Sequence, residues 1–183
     1  KRVVLISGDP GVGKSTLAAK LVGSSFRGYQ GDKSKADDVK TQFSVLGFHV
    51  CKTSNAETAS ASRFVRNLAS MLAETVPGYA AELAASPATL KALDKRECDR
   101  DPTAALQNGV LRPLIKLHAI GFAARGLDVH VLVIDAMDDA KAVGDELTVA
   151  QLLSDSAVIA VLPRWLRIVA TISRDTRSLK ALR

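Results

Sequence analysis

The chain has 183 residues, 47% hydrophobic and 24% charged, with a formal net charge of +6. That is enough chain for one globular domain with a sizeable core. No apolar run approaches the roughly 20 residues of a membrane-spanning helix, no signal peptide precedes the first strand, and two cysteines without a Cys-x-x-Cys spacing give no sign of a disulfide framework.

Taken in chain order, residues 3–6 (Val-Val-Leu-Ile) form a buried strand that feeds into Gly8-Asp9-Pro10-Gly11-Val12-Gly13-Lys14-Ser15-Thr16. This is the pattern G-x-x-x-x-G-K-[ST], a phosphate-binding P-loop. Its glycines allow a tight turn in which backbone N–H groups face an anion. The helix that follows points its positive end the same way. Lys14 can reach β- and γ-phosphates, and the Ser15 hydroxyl can ligate Mg²⁺. Leu17, Leu21 and Val22 share one face of that helix, and Gly23 reads as its C-cap.

Residues 27–42 are polar and contain Gly28 and Gly31, which predicts an exposed loop. Residues 43–51 form a second strand, apolar on both faces as in a covered parallel sheet. Ser54-Asn55-Ala56-Glu57 resembles a capping box. Phe64, Val65, Leu68, Met71 and Leu72 then define an amphipathic helix over 57–75, ended by Pro77-Gly78. Two short helices follow over 79–85 and 87–96. Asp101-Pro102 opens another, kinked at Pro113.

Residues 129–135 are the third strand, 148–160 a helix, and 166–173 the fourth strand. Strands alternating with helices predict right-handed βαβ units and a parallel α/β sheet. Residues 164–183 carry six basic side chains against one acid, Asp175. Nucleic-acid binding is one reading of that basic end. The absence of interleaved aromatics favours contacts with phosphates or with neighbouring domains.

Leu132-Val133-Ile134-Asp135 fits a Walker B strand, its acid at the C-terminal sheet edge where Asp135 can hold Mg²⁺ through water. Asp138 and Asp139 are candidates for orienting or deprotonating a hydrolytic water. They read equally well as first-turn helix acids. At the end of the fourth strand, Thr171-Ile172-Ser173-Arg174 offers a hydroxyl or a guanidinium to a γ-phosphate, Arg being suited to bidentate phosphate contact. The alternative for Arg174 is a surface position. His49, His118 and His130 do not cluster in sequence and read as core or surface residues.

Residues 8–16, the stretch 132–139 and Trp165-Leu166-Arg167-Ile168-Val169-Ala170-Thr171-Ile172-Ser173-Arg174 resemble the STAND class of P-loop NTPases, most of all its NACHT-like domains. Phe48-His49-Val50-Cys51, Phe64-Val65-Arg66-Asn67-Leu68-Ala69 and Asp101-Pro102 leading to Gly109-Val110-Leu111-Arg112-Pro113-Leu114 are similar to the NTPase module of TANC-type ankyrin-repeat proteins. The resemblance covers nearly all of residues 1–183. It implies a three-layer αβα fold with a parallel sheet of order 5-1-4-3-2, the fifth strand lying outside the chain. It also implies Mg²⁺-dependent binding and slow hydrolysis of ATP, with exchange of ADP for ATP acting as a conformational switch in a signalling or scaffold protein. Residues 8–16 would bind the nucleotide, with Lys14 and Ser15 on phosphate and Mg²⁺. Asp135 would be the Walker B acid, Asp138 or Asp139 the hydrolytic acid, and Arg174 the sensor.

Partners implied by the resemblance are other domains of the same protein, such as a winged helix and ankyrin or TPR repeats, protein partners, and further copies of itself. Asp139 departs from the family in standing where Glu is usual. No pattern after Arg174 supplies a fifth strand, a helical lid or a winged helix. The chain also starts two residues before its first strand without an initiator Met, and so reads as a piece of a longer protein. A nucleotide site and a reduced, buried Cys51 fit a cytoplasmic compartment. Two competing functions stay open. One is an AAA+-like, DNA-associated ATPase, against which Ala136 replaces the acid expected directly after Asp135. The other is a degenerate nucleotide-binding interaction module without turnover.

Overall fold

The four β-branched, apolar segments become strands of one parallel sheet. They are β1 (Val3–Gly8), β2 (Phe43–Val50), β3 (Val129–Asp135) and β4 (Leu166–Ser173). The computed structural model describes residues 2–25, 43–121, 129–139 and 146–174. The strands lie in the order β1-β4-β3-β2. That is the expected arrangement for these four, and the fifth-strand expectation falls outside the described residues, as do the loop expected over 27–42 and the last basic residues, Arg177, Lys180 and Arg183.

Alternation along the strands sorts side chains to two faces. Leu132 and Ile134 of β3 and Leu166, Ile168, Ala170 and Ile172 of β4 enter the larger core. Val131 and Val133 turn the other way, towards Ala18, Leu21 and Val22 of helix α1 (Lys14–Ser25). Helices α2 (Ala61–Thr75), α3 (Tyr79–Ala84), α4 (Pro87–Ala92), α5 (Lys95–Arg100), α6 (Pro102–Ala105), α7 (Arg112–Ala119), α8 (Val149–Ser154) and α9 (Ser156–Val161) gather around the larger core. Helices on both faces of a parallel α/β sheet are compatible with a three-layer αβα arrangement.

Helix α2 shows what holds this layer on. Phe64, Val65, Leu68 and Leu72 are buried, each contributing about 1.5–3 kcal/mol. The exposed Arg63–Glu57 ion pair at its start contributes at most about 1 kcal/mol. Gly47 of β2 lets this helix approach, since a Cβ there would lie 2.8 Å from Leu68 Cδ1. Alternation turns Val45 towards α1 and Leu46 towards α2, and the register shift between Val45 and Gly47 leaves Gly47 facing α2 as well.

Several local expectations are corrected. Helix α1 runs through Gly23 to Ser25, and Leu17 is 43% exposed, with Ala18 taking the sheet-facing position. Among the described residues β2 lies at the edge of the sheet, and Phe48 and Val50 are each 37% exposed rather than covered on both faces. The helix expected over 57–75 begins at Ala61 with Ser60 as its N-cap, while Asn55 caps a separate 3₁₀ turn, Ala56–Thr58. The helices expected over 87–96 and 148–160 are each split at an aspartate. Asp94 and Asp155 accept N–H bonds two residues on, from Arg96 and Ala157, which starts a new helix at the cost of the old one. The capping box lies at Thr148 and Gln151. No helix among the described residues is long and apolar enough to cross a membrane.

Candidate functional site

The strand register brings the sequence-predicted residues to one sheet edge. Gly8 at the end of β1 pairs with Ser173, Ile134 pairs with Ala170, and Asp135 at the end of β3 pairs with Val50. Only β4 separates β1 from β3. The loop after Gly8 and the Asp135 backbone therefore lie about 10 Å apart, two strand spacings.

The loop closes on its own backbone. Val12 N–H reaches the Asp9 carbonyl at 3.4 Å across Pro10 and Gly11, and Leu17 N–H donates to Gly13 at 2.9 Å. Gly11 and Gly13 adopt φ of +82° and +92° with nothing near a built Cβ, so their requirement is conformational rather than spatial. Gly8 differs, because a Cβ there would sit 2.9 Å from Val12 Cγ2. The Lys14 ammonium folds back across the loop and donates to the carbonyls of Gly8 at 2.8 Å and Asp9 at 2.9 Å. Ser15 and Thr16 stand exposed on the first turn of α1.

At the end of β3 the chain turns sharply. Ala136 has φ +53°, a left-handed conformation that costs a non-glycine residue about 1 kcal/mol or more. Met137, buried, anchors the 3₁₀ turn Met137–Asp139 that follows. Strand β4 grips this corner. Thr171 Oγ1 donates to Asp135 Oδ1 at 2.6 Å and accepts from Ala136 N–H at 2.8 Å. Ser173 N–H donates to Asp138 Oδ2 at 2.9 Å. Arg174 N–H donates to the Gly8 carbonyl at 3.2 Å. On the other side, Cys51 N–H donates to the Asp135 carbonyl at 3.0 Å.

These contacts separate the candidates. Asp135 is 8% exposed and held by β4. The carboxylate of Asp138 is engaged by the Ser173 amide, whereas that of Asp139 has no hydrogen-bond partner among the described residues. The Arg174 side chain is exposed and likewise makes no hydrogen bond among them. Burial, then the charges of Asp139, Asp135 and Asp138, push the Cys51 thiol up to about 12. The histidines go elsewhere: His49 Nε2 donates to the Thr58 carbonyl at 2.7 Å, while His118 stacks on Trp165 and His130 meets it edge-on. Of the two hydroxyls in residues 171–174, that of Thr171 is 1% exposed and turned to Asp135 rather than to the sheet edge.

The donor set suits a phosphate with Mg²⁺. It offers an ammonium, a hydroxyl and a carboxylate, together with a turn of backbone amides kept free of Cβ atoms at Gly11 and Gly13. Two cavities of about 370 and 310 Å³ lie away from this edge, the first beside Ser62 and Asp99 and the second beside Thr89 and Arg112. No solved structure matches the chain. Residues 1–172 match the family described as nephrocystin 3, N-terminal, and with that span the protein belongs to the nephrocystin 3 N-terminal family.

Proposed function

We propose that this domain is a P-loop NTPase of the STAND class, NACHT-like, that binds ATP or ADP with Mg²⁺ and hydrolyses ATP slowly as a conformational switch. One observation carries the reading. A glycine-dependent turn with Lys14 folded over it stands two strands from Asp135 on the same sheet edge. In the free chain the Lys14 ammonium is satisfied by two loop carbonyls, so a polyphosphate has only to replace those two acceptors with stronger, charged ones. The loop amides and Ser15 then bind and orient the phosphates. Bound Mg²⁺ would supply charge neutralisation on the β- and γ-oxygens. Asp135 would orient its water shell, and Asp139, whose carboxylate is not taken up by β4, would accept a proton from the attacking water. Asp139 is one methylene shorter than the usual Glu, which fits slow turnover. Attached repeats and protein partners would read the nucleotide state.

Isothermal titration with Mg²⁺-ATP and Mg²⁺-ADP tests this. Lys14→Ala is expected to abolish binding while keeping the melting temperature within a few degrees. Phosphate release should fall about 100-fold in Asp139→Asn, on the scale of a lost general base, and about 10- to 100-fold in Asp135→Asn, on the scale of a weakened metal site. Unchanged affinity in Lys14→Ala would sink the proposal. Binding without measurable phosphate release would favour the second reading, a non-hydrolysing module, for which the engaged Asp138 speaks.

A further inference from the structure

The hydroxyl of Thr171 has a directionality that the hydrogen bonds themselves determine. Ala136 N–H can only donate, so at 2.8 Å it occupies a lone pair of Oγ1. The one hydroxyl proton is thereby left for Asp135 Oδ1 at 2.6 Å. Oδ1 is thus committed inward to β4, and Oδ2 is the oxygen of Asp135 without a partner among the described residues. The same hydroxyl holds the amide of Ala136, the residue at φ +53°. It therefore anchors both the carboxylate and the turn that leads to Asp138 and Asp139.

We propose that Thr171 is the positioning residue of the Mg²⁺–nucleotide site: its buried hydroxyl fixes which oxygen of Asp135 is offered to the cation and holds the Ala136 turn that sets the acids beyond it. The inference rests on the nucleotide reading above. It assigns Thr171 no contact with phosphate, which separates it from a sensor at the end of β4. Valine has the same shape without the hydroxyl. In Thr171→Val both Asp135 Oδ1 and the Ala136 amide lose their partner, and Asp135 is free to rotate. Serine restores donor and acceptor alike.

The test is titration of Mg²⁺ into the full chain saturated with ADP, with ADP affinity measured in parallel in EDTA. Losing such a support for a metal-binding carboxylate costs about 10- to 100-fold in metal affinity. Thr171→Val is expected to raise the Mg²⁺ half-saturation by that factor, to leave ADP affinity in EDTA within about twofold, and to speed amide exchange at Ala136 in the nucleotide-free chain. Thr171→Ser is expected to return Mg²⁺ dependence to within about threefold. Should Thr171→Val not fold, Thr171→Cys, similar in volume with only a weak donor, is read in its place. Unmoved Mg²⁺ dependence in the valine or cysteine variant, or equal loss in the serine variant, overturns the role of Thr171 and leaves the nucleotide reading standing. An unmodified chain that binds no ADP at all overturns both.

Discussion

Cys51 is the residue at which the candidate site is felt without being used. It follows β2, its amide ties β2 to the end of β3, and its thiol lies in the field of Asp139, Asp135 and Asp138. Burial and those charges raise it from 9.0 to about 12. The fold thus holds the protonated thiol more tightly than the unfolded chain does. Its contribution to stability is full below pH 9 and is lost as pH rises through about 12. Unfolding in urea at successive pH values is expected to show a steeper alkaline loss of stability for the unmodified chain than for Cys51→Ala. Parallel slopes would show that the fold, through burial and the neighbouring acids together, does not raise the thiol. At this scale the sequence was most readable where a turn is written as a contiguous pattern, as in residues 8–16 with left-handed Gly11 and Gly13. Asp135 was readable from its place after Leu-Val-Ile. The face Thr171 occupies follows from its alternation with Ala170 and Ile172, yet its pairing with Asp135 depends on the β3–β4 register, which no local pattern encodes.

Among the elements, the helical run from Pro102 to Ala119 departs most from regular geometry, and Pro113 accounts for it. Pro113 has no N–H to return to the Gly109 carbonyl four residues back, and the chain passes through a π-helical segment, Leu106–Leu111, with Arg112 N–H bonding Gln107. The Gly109 carbonyl instead accepts from the Tyr79 hydroxyl at 3.1 Å, in the fully buried interior. A larger residue at Gly109 would require Leu93 to shift, since a Cβ would lie 2.6 Å from Leu93 Cδ2. Removing the donor while leaving a buried carbonyl costs about 1–3 kcal/mol, so Tyr79→Phe is expected to lose that much in chemical denaturation. In a Pro113→Ala background the restored amide can serve Gly109, and the cost of Tyr79→Phe should shrink by at least about 0.5 kcal/mol. Strict additivity would reject this account. Pro113 was legible as a disturbance of the helix, whereas the π segment was not, because the carbonyl it leaves at Gly109 is taken up by a tyrosine 30 positions earlier in the chain. The breaks at Asp94 and Asp155 were missed for a simpler reason. An aspartate inside an apolar helical pattern reads as solvent face, and only its geometry reveals a cap.

Over the whole molecule, sheet polarity was legible because apolar strands alternate with helical patterns and crossovers are right-handed, whereas the strand order was implied only by the family resemblance. What pattern could not supply is the central place of β4. It is hydrogen-bonded to both β1 and β3 and touches the loop carbonyl of Gly8, the carboxylates of Asp135 and Asp138, and the Ala136 turn. A ligand bridging the loop and Asp135 would therefore tighten three strand ends together and leave the helical layer beyond α2 untouched. Ligand at 100 times its dissociation constant stabilises by about 2.7 kcal/mol, which for a domain of this size raises the melting temperature by roughly 5–10 °C. Hydrogen exchange with and without Mg²⁺-ADP locates the effect. Protection beyond the common factor that added global stability gives every slowly exchanging amide is expected at residues 8–16, 135–139 and 171–174, and only that common factor at residues 79–119, where both ends of the Tyr79–Gly109 bond lie. Protection confined to 8–16 would mean that phosphate is held by the loop alone, with β4 and Asp135 outside the site. The common factor alone, with no excess at residues 8–16, 135–139 and 171–174, would mean that the sheet edge is not the point of attachment.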